Sequence, residues 1–233
     1  MASDLKLDIS GLAAWFREFT GEKSSVIFRR SGEAGPSTAD LLQVQNELEA
    51  LRSHFGRTRS RYFEPFEVRP SGSGGELRLR EWFESRRCLL TALKDLLREG
   101  VDPSEIRMSI SHTRGACVAA ALASPEREGS EGRGSLGVDL EDERRIVSAR
   151  AAARFHFQDE RSLGLSDLEV WVIKEACFKS DSGRDGGVVS DYRLLSFSRD
   201  GLGEACSKKD AKSRFRFGIR RTGGHLVGFA LSQ

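Results

Sequence analysis

Eight consecutive small or apolar residues, Ala116-Cys-Val-Ala-Ala-Ala-Leu-Ala123, follow a segment whose side chains alternate: Ile106, Met108 and Ile110 against Arg107, Ser109 and Ser111. The alternation has the period of a half-buried strand. Thr113-Arg114-Gly115 allows a turn, and the small-residue run reads as a return strand packed closely against another layer. A further strand covers Ser135 to Glu141, and the tail is β: Tyr192–Ser198, Arg214–Arg221 and His225–Ser232, the last two joined at Thr222-Gly223-Gly224.

Helices interleave with these strands. Leu7 to Phe19 predicts a short helix before a β-like run at Ser25–Arg29. Leu41, Val44, Leu48, Leu51 and Phe55 recur every three or four residues, with Gly56 placed to end that helix. Leu79, Trp82, Phe83, Leu90, Leu93 and Leu97 stripe another from about Leu77 to Arg98. A fourth is expected from about Glu143 to Phe157. A fifth is expected from Asp167 to about Lys179, after the capping box Ser166-x-x-Glu169. Residues 31–37, 57–75 and 124–134 read as linkers or loops, the second anchored by Tyr62, Phe63 and Phe66. A helix does not separate every pair of strands, so the fold class is α+β rather than a doubly wound parallel sheet. Trp82 and Cys88 are six apart, as are Trp171 and Cys177, a weak internal echo.

Among 233 residues, 37 Lys and Arg face 35 Asp and Glu, a net charge of +2. That balance excludes a histone-like or polybasic nucleic-acid coat. No run of 18 apolar residues would cross a membrane as a helix, and Asp4, Lys6 and Asp8 interrupt any signal-peptide core. The four cysteines are scattered without a CxxC, so a reduced, cytoplasmic protein is expected.

Three segments could carry chemistry. In Leu136-Gly-Val-Asp139-Leu-Glu141 the strand period puts Asp139 and Glu141 on one face, with Val138 and Leu140 toward the core. Two adjacent carboxylates suit Mg²⁺ with phosphate oxygens completing its shell, or they mark a solvated strand end. In Trp171-Val-Ile-Lys174-Glu175-Ala-Cys-Phe-Lys179 the last pair of charges is four apart on a mostly apolar helix. They form a surface ion pair or line a cleft, where Glu175 would be a third metal ligand and Lys179 would neutralise phosphate. In Ser109-Ile-Ser111-His112-Thr113, a histidine among hydroxyls beside Arg114 suits an anion, or is structural.

Together and in this order, the three segments resemble the 4′-phosphopantetheinyl transferase family. The family pattern is S-x-S-H, then G-(I/V)-D-(I/L)-E, then W-x-x-K-E-(A/S)-x-x-K, here Ser109 to His112, Gly137 to Glu141 and Trp171 to Lys179. The resemblance covers residues 77–180 well, the β tail in outline, and residues 1–75 poorly. The helix carrying Arg80, Trp82, Arg86 and Arg87 also looks like the family's N-terminal-lobe helix. The resemblance implies the longer, single-chain type: two similar α/β lobes, residues 1–123 with coenzyme A nucleotide contacts and residues 124–233 with the metal and catalytic residues, the active site in the cleft between them. Arg86 stands where Glu175 stands in the other half, so one metal site is expected. The family's Gly-Lys-Pro before the first strand is missing, with only Asp102-Pro103 nearby, and Asp139 lies 32 residues from Trp171, a shorter gap than usual. Nucleotide contacts stay unassigned among Arg29, Arg30, Arg57, Arg59 and Arg61.

The implied activity is transfer of the phosphopantetheine arm of coenzyme A to a serine of an acidic carrier protein. Mg²⁺ would sit on Asp139, Glu141 and Glu175. Lys179 would assist the transferring phosphate, Glu175 would take the serine proton directly or through a water, and His112 and Ser111 would hold coenzyme A. Lys174 is either a phosphate contact or a helix-surface charge. The carrier is expected to dock near Arg150 and Arg154, held out on the helix after Glu141 while Ile146, Val147, Ala153 and Phe157 pack it down; a monomer is expected. The alternatives are an inactive relative that binds carrier or coenzyme A, and an Arg-rich module at residues 57–80 that stacks RNA bases on Tyr62, Phe63 and Phe66.

Overall fold

A computed structural model describes residues 6–7, 9–21, 23–30, 36–55, 62–64, 75–124, 135–181, 187–210 and 212–233. The chain is a mixed α+β fold with two largely antiparallel sheets. The smaller sheet has the order β2-β4-β3, formed by Ser24–Arg30, Ala116–Ala123 and Ile106–Thr113. The larger runs β5-β9-β8-β7-β6, from Leu136–Asp142, His225–Ser232, Arg214–Thr222, Leu202–Ser207 and Tyr192–Phe197. A two-residue strand β1, Lys6–Leu7, pairs in parallel with the end of β8 that β7 leaves open.

The expected hairpins form. Gly115, at φ 82°, turns β3 into β4, and Gly223 and Gly224, at φ 58° and 81°, turn β8 into β9 between the paired Thr222 and His225. Every residue of β4 is buried, as its small side chains require. One face of β4 carries Cys117, Ala119 and Ala121 against helix α3, Gly75–Arg98, with α2, Thr38–Arg52, packed outside it. The other face carries Val118 and Ala120 into a core shared with helix α1, Ile9–Thr20, and with Val138, Leu140 and Phe229 of the larger sheet. The Phe16 and Phe229 rings lie 4.6 Å apart there. Helix α1 therefore touches both sides of the 123/124 division. Helix α5, Asp167–Ser180, lies on the larger sheet and carries the capping box between Ser166 and Glu169.

Three local expectations are corrected. Helix α2 ends at Arg52, three residues before the buried Phe55, with Ser53 as its cap; the expected stop, Gly56, lies outside the described residues. The helix expected over residues 143–157 is only α4, Ala149–Ala152. Ser148 accepts a bond from Ala151 N and so starts the helix late, while Glu160 captures Phe157 N at 2.9 Å and draws the chain out of it. Ile146 consequently does not pack down but stands 91% exposed. Strand β7 went unread because only Ala205 and Ser207 are buried along it.

Tyr62 and Phe63 are buried in the α2–α3 core, with Phe63 stacked on Phe55 at 5.0 Å. They anchor their segment as expected but are not free to stack on RNA bases; Phe66 and most of residues 56–74 lie outside the described residues. Among the described residues no helix is long and apolar enough to cross a membrane.

Candidate active site

The two sheets meet edge to edge, β3 of the smaller beside β5 of the larger, and side chains rather than backbone join them. Ser109 Oγ accepts a bond from Val138 N at 3.0 Å. Ser111 Oγ donates to Asp139 Oδ1 at 3.0 Å. The paired serines of S-x-S thus point from one strand edge to the other, as residues two apart must.

Helix α5 reaches this seam because the strands beneath it lack side chains where it crosses. A Cβ added at Gly137 would fall 1.9 Å from Ala176 O, and one at Gly228 would fall 2.7 Å from Val172 Cγ1. Close approach brings Lys179 Nζ to Asp139 Oδ1 at 2.7 Å, Ser111 Oγ at 3.0 Å and Val138 O at 3.1 Å. Glu175, one turn earlier on α5, is half-buried. Burial pushes its carboxyl above the usual range, and the charges of Asp139 and Glu141 push further while Lys179 opposes them. Glu141 is raised by burial too, against the pull of Arg145 and a hydrogen bond from Trp171.

Of the residues singled out in the sequence, Ser111, Asp139 and Lys179 are in direct contact, with Glu141 and Glu175 coupled to them by charge. The expected convergence of Asp139, Glu141 and Glu175 as a ready metal cluster is not formed: among the described residues no three His, Cys, Asp or Glu side chains make such a group. The acidic groups have taken basic partners instead, Lys179 on Asp139 and Arg145 on Glu141. The donor set still suits an oxygen-seeking divalent ion. Asp139 is only 6% exposed, and its Oδ2 is buried with no hydrogen-bond partner among the described residues. Glu175 feels its neighbours' charges without a hydrogen bond from any of them. A buried, unpaired carboxylate oxygen beside two more carboxylates is stabilised by a cation.

His112 is the penultimate residue of β3, beyond this group. Its Nε2 lies 3.5 Å from Glu81 Oε2 on α3, a neighbour the sequence did not single out. Burial lowers the imidazole below its ordinary range although Glu81 pulls it up, so it is mainly neutral at pH 7 and can donate to an anion from one ring nitrogen.

Lys174 has neither expected role. It is fully buried beneath α5, donating to Phe155 O at 2.6 Å and pairing with Glu160 at 2.7 Å. Glu160 also accepts Phe157 N and Leu194 N. Lys174 is therefore an internal tie between α5 and the loop ahead of it. Glu160 carried no signal of its own, standing in a loop among other charges.

Arg150 and Arg154 are both exposed, Arg150 within α4 and Arg154 just past it. Glu143 and Asp159 do not neutralise them, since Glu143 faces Arg221 and Asp159 pairs with Arg193. No protein-family model matches the chain, and no curated protein matches it.

Proposed function

We propose that the protein transfers the 4′-phosphopantetheine arm of coenzyme A to a serine hydroxyl of an acidic carrier protein, leaving adenosine 3′,5′-bisphosphate. The supporting observation is the contact of Ser111, Asp139 and Lys179, one residue from each of the three segments that resemble the transferase family, within 3.0 Å at the seam of the two sheets. The half-buried Trp82 and Trp171, each six residues before a fully buried cysteine on the helix that covers its sheet, support two similar α/β lobes flanking the site.

The serine oxygen attacks the β-phosphorus of coenzyme A, and the bond from that phosphorus to the bridging oxygen breaks, so the leaving phosphate carries off the electron pair. Asp139, Glu141 and Glu175 would hold Mg²⁺, which when bound neutralises diphosphate oxygens. Lys179 supplies positive charge at the transferring group, where charge is spread as the bond loosens. Glu175, whose burial raises its proton affinity, takes the serine proton directly or through a water. His112 and Ser111 hold a phosphate of coenzyme A. Lys174 takes no part.

The test is mass spectrometry of several apo carrier proteins incubated with the protein, coenzyme A and Mg²⁺. A gain of one phosphopantetheine on any of them is the expected result; none on any carrier, with the protein folded, refutes transfer. The basic partners on Asp139 and Glu141 favour a second reading, an inactive relative that binds carrier or coenzyme A. Binding of coenzyme A without any mass gain would select it.

A further inference from the structure

Arg145 sits in a closed triangle at the rim of the site. Its guanidinium is paired with Glu141 and lies 5.4 Å above the Trp171 ring, and the Trp171 indole hydrogen-bonds Glu141 in turn. The backbone here is fixed by a turn in which Arg145 N donates to Asp142 O at 2.9 Å. The side chain rests on Glu141 and Trp171 and remains 45% exposed to solvent. Beside it opens a cavity of about 280 Å³, lined by Glu143, Asp167, Arg221, Leu168 and Leu226 as well as Arg145 itself. Glu143 and Asp167 bring two carboxylates to that cavity. Glu143 faces Arg221 only at 4.0 Å, and Asp167, 34% exposed, has His156 on one oxygen at 2.6 Å. A guanidinium leaving Glu141 thus has a second acidic seat within its own reach.

We propose that Arg145 is a displaceable counter-ion: it neutralises Glu141 while no divalent cation is bound and moves into the adjoining cavity when one takes that carboxylate. The inference rests on the reading of Asp139, Glu141 and Glu175 as a divalent-cation site. Two charges of the same sign cannot share Glu141 at close range, so the ion and Arg145 compete. The buried, unpartnered Asp139 Oδ2 is where the ion gains a ligand that Arg145 does not use. Leaving Glu141 also takes the guanidinium off the Trp171 ring, which gives the exchange an optical signature.

The experiment is a Mn²⁺ titration of the full chain, followed by electron paramagnetic resonance and by tryptophan emission, in wild type and Arg145→Met. Methionine keeps the apolar stem over Trp171 and removes the charge, and circular dichroism checks that the variant is folded. Arg145→Met is expected to bind Mn²⁺ about fivefold more tightly, equivalent to ~1 kcal/mol. Wild-type emission should shift on Mn²⁺ addition, and the shift should vanish in Arg145→Met and in Trp171→Phe. Equal or weaker Mn²⁺ binding by folded Arg145→Met overturns the exchange and leaves the metal reading standing. No Mn²⁺ binding by either protein overturns both.

Discussion

Lys179 Nζ lies 2.7 Å from Asp139 Oδ1, so the helix over the larger sheet is tied by charge to that sheet's edge strand at the point where the smaller sheet also arrives through Ser111. One ammonium thereby holds three chain segments together while remaining 24% exposed to the cleft. Its structural and chemical duties are separable by experiment.

The acidic residues differ in what they contribute to the fold. Asp139 has Lys179 and Ser111 as partners, whereas Glu175 is a half-buried carboxyl that burial and the charges of Asp139 and Glu141 disfavour as an anion more than Lys179 relieves it. Asp139→Ala is expected to lower stability by about 1–2 kcal/mol, from the lost bonds. Glu175→Gln is expected to raise it. The sign with pH follows from proton binding. The folded pKa of Glu175 lies above its unfolded value, so the folded state holds the extra proton in that interval and stability falls as pH rises through it. The advantage of Glu175→Gln should therefore be small below the ordinary glutamate range and grow toward neutral pH. Both variants should lose transfer by about 100-fold or more. Thermal melts across pH, with mass spectrometry for transfer, check this; a Glu175→Gln advantage that shrinks as pH rises contradicts it.

Lys179 and His112 should divide kinetically. Lys179→Ala should lower kcat more than it weakens coenzyme A binding, because its charge matters most as the phosphate loosens. His112→Ala should chiefly raise the Kd for coenzyme A. Calorimetric Kd values set beside single-turnover rates decide it, and the reverse pattern refutes the assignment.

The close approach of α5 rests on Gly137, where an added methyl would lie 1.9 Å from the Ala176 carbonyl oxygen. Neither the strand nor the helix backbone can yield locally. Gly137→Ala is expected to cost about 2–3 kcal/mol or more and to lift Glu175 and Lys179 from the seam. A melting temperature equal to wild type would mean that the helix is free to shift, and the site would then not depend on this contact.

Lys174 supplies the contrasting case. Burial pulls its ammonium down to about 8 while Glu160 holds it up, as for a charge kept inside by its partner. Lys174→Met should cost about 3–5 kcal/mol by leaving Glu160 buried without a cation. Coenzyme A affinity of the folded protein in the cold should be unchanged. Weaker coenzyme A binding with an unaltered melting temperature would instead restore Lys174 as a phosphate contact.

What could be read in the chain follows from how local each cause is. Helix α5 was legible because Ser166, Glu169 and the apolar run after them act within a few residues. The alternation of Ile106 to Ser111 placed Ser109 and Ser111 on one face, which is the face that meets β5. The segment after Glu141 misled because its alanines and arginines favour helix, while the competing bonds at Ser148 and Glu160 depend on where the chain goes next. The partner of Lys174 stands 14 residues upstream in a loop, and Arg145 on Glu141 is a contact chosen by folding, not by spacing alone. The cations on the carboxylates were illegible for the same reason: Asp139 and Glu141 share the strand face that the pattern put them on, but that Lys179 and Arg145 pair with them depends on the fold.

The partner surface gives the last prediction. Ala152 and Phe155 anchor the segment around α4, and Arg150 and Arg154 stay in solvent without an ion-pair partner among the described residues, since Glu143 and Asp159 are engaged elsewhere. Ile146, 91% exposed, stands close in sequence to them and to Glu141. An acidic partner would meet two uncommitted arginines and gain charge pairing without first breaking local ion pairs. Arg150→Glu with Arg154→Glu should raise the KM for the carrier protein about tenfold and leave the KM for coenzyme A nearly unchanged. Wild-type KM for the carrier should climb with salt, because exposed charges are screened beyond about 8–10 Å at physiological ionic strength, and the double variant should lose most of that dependence. Carrier kinetics equal to wild type at low salt would move docking away from α4, toward the Arg-rich segment at residues 57–69.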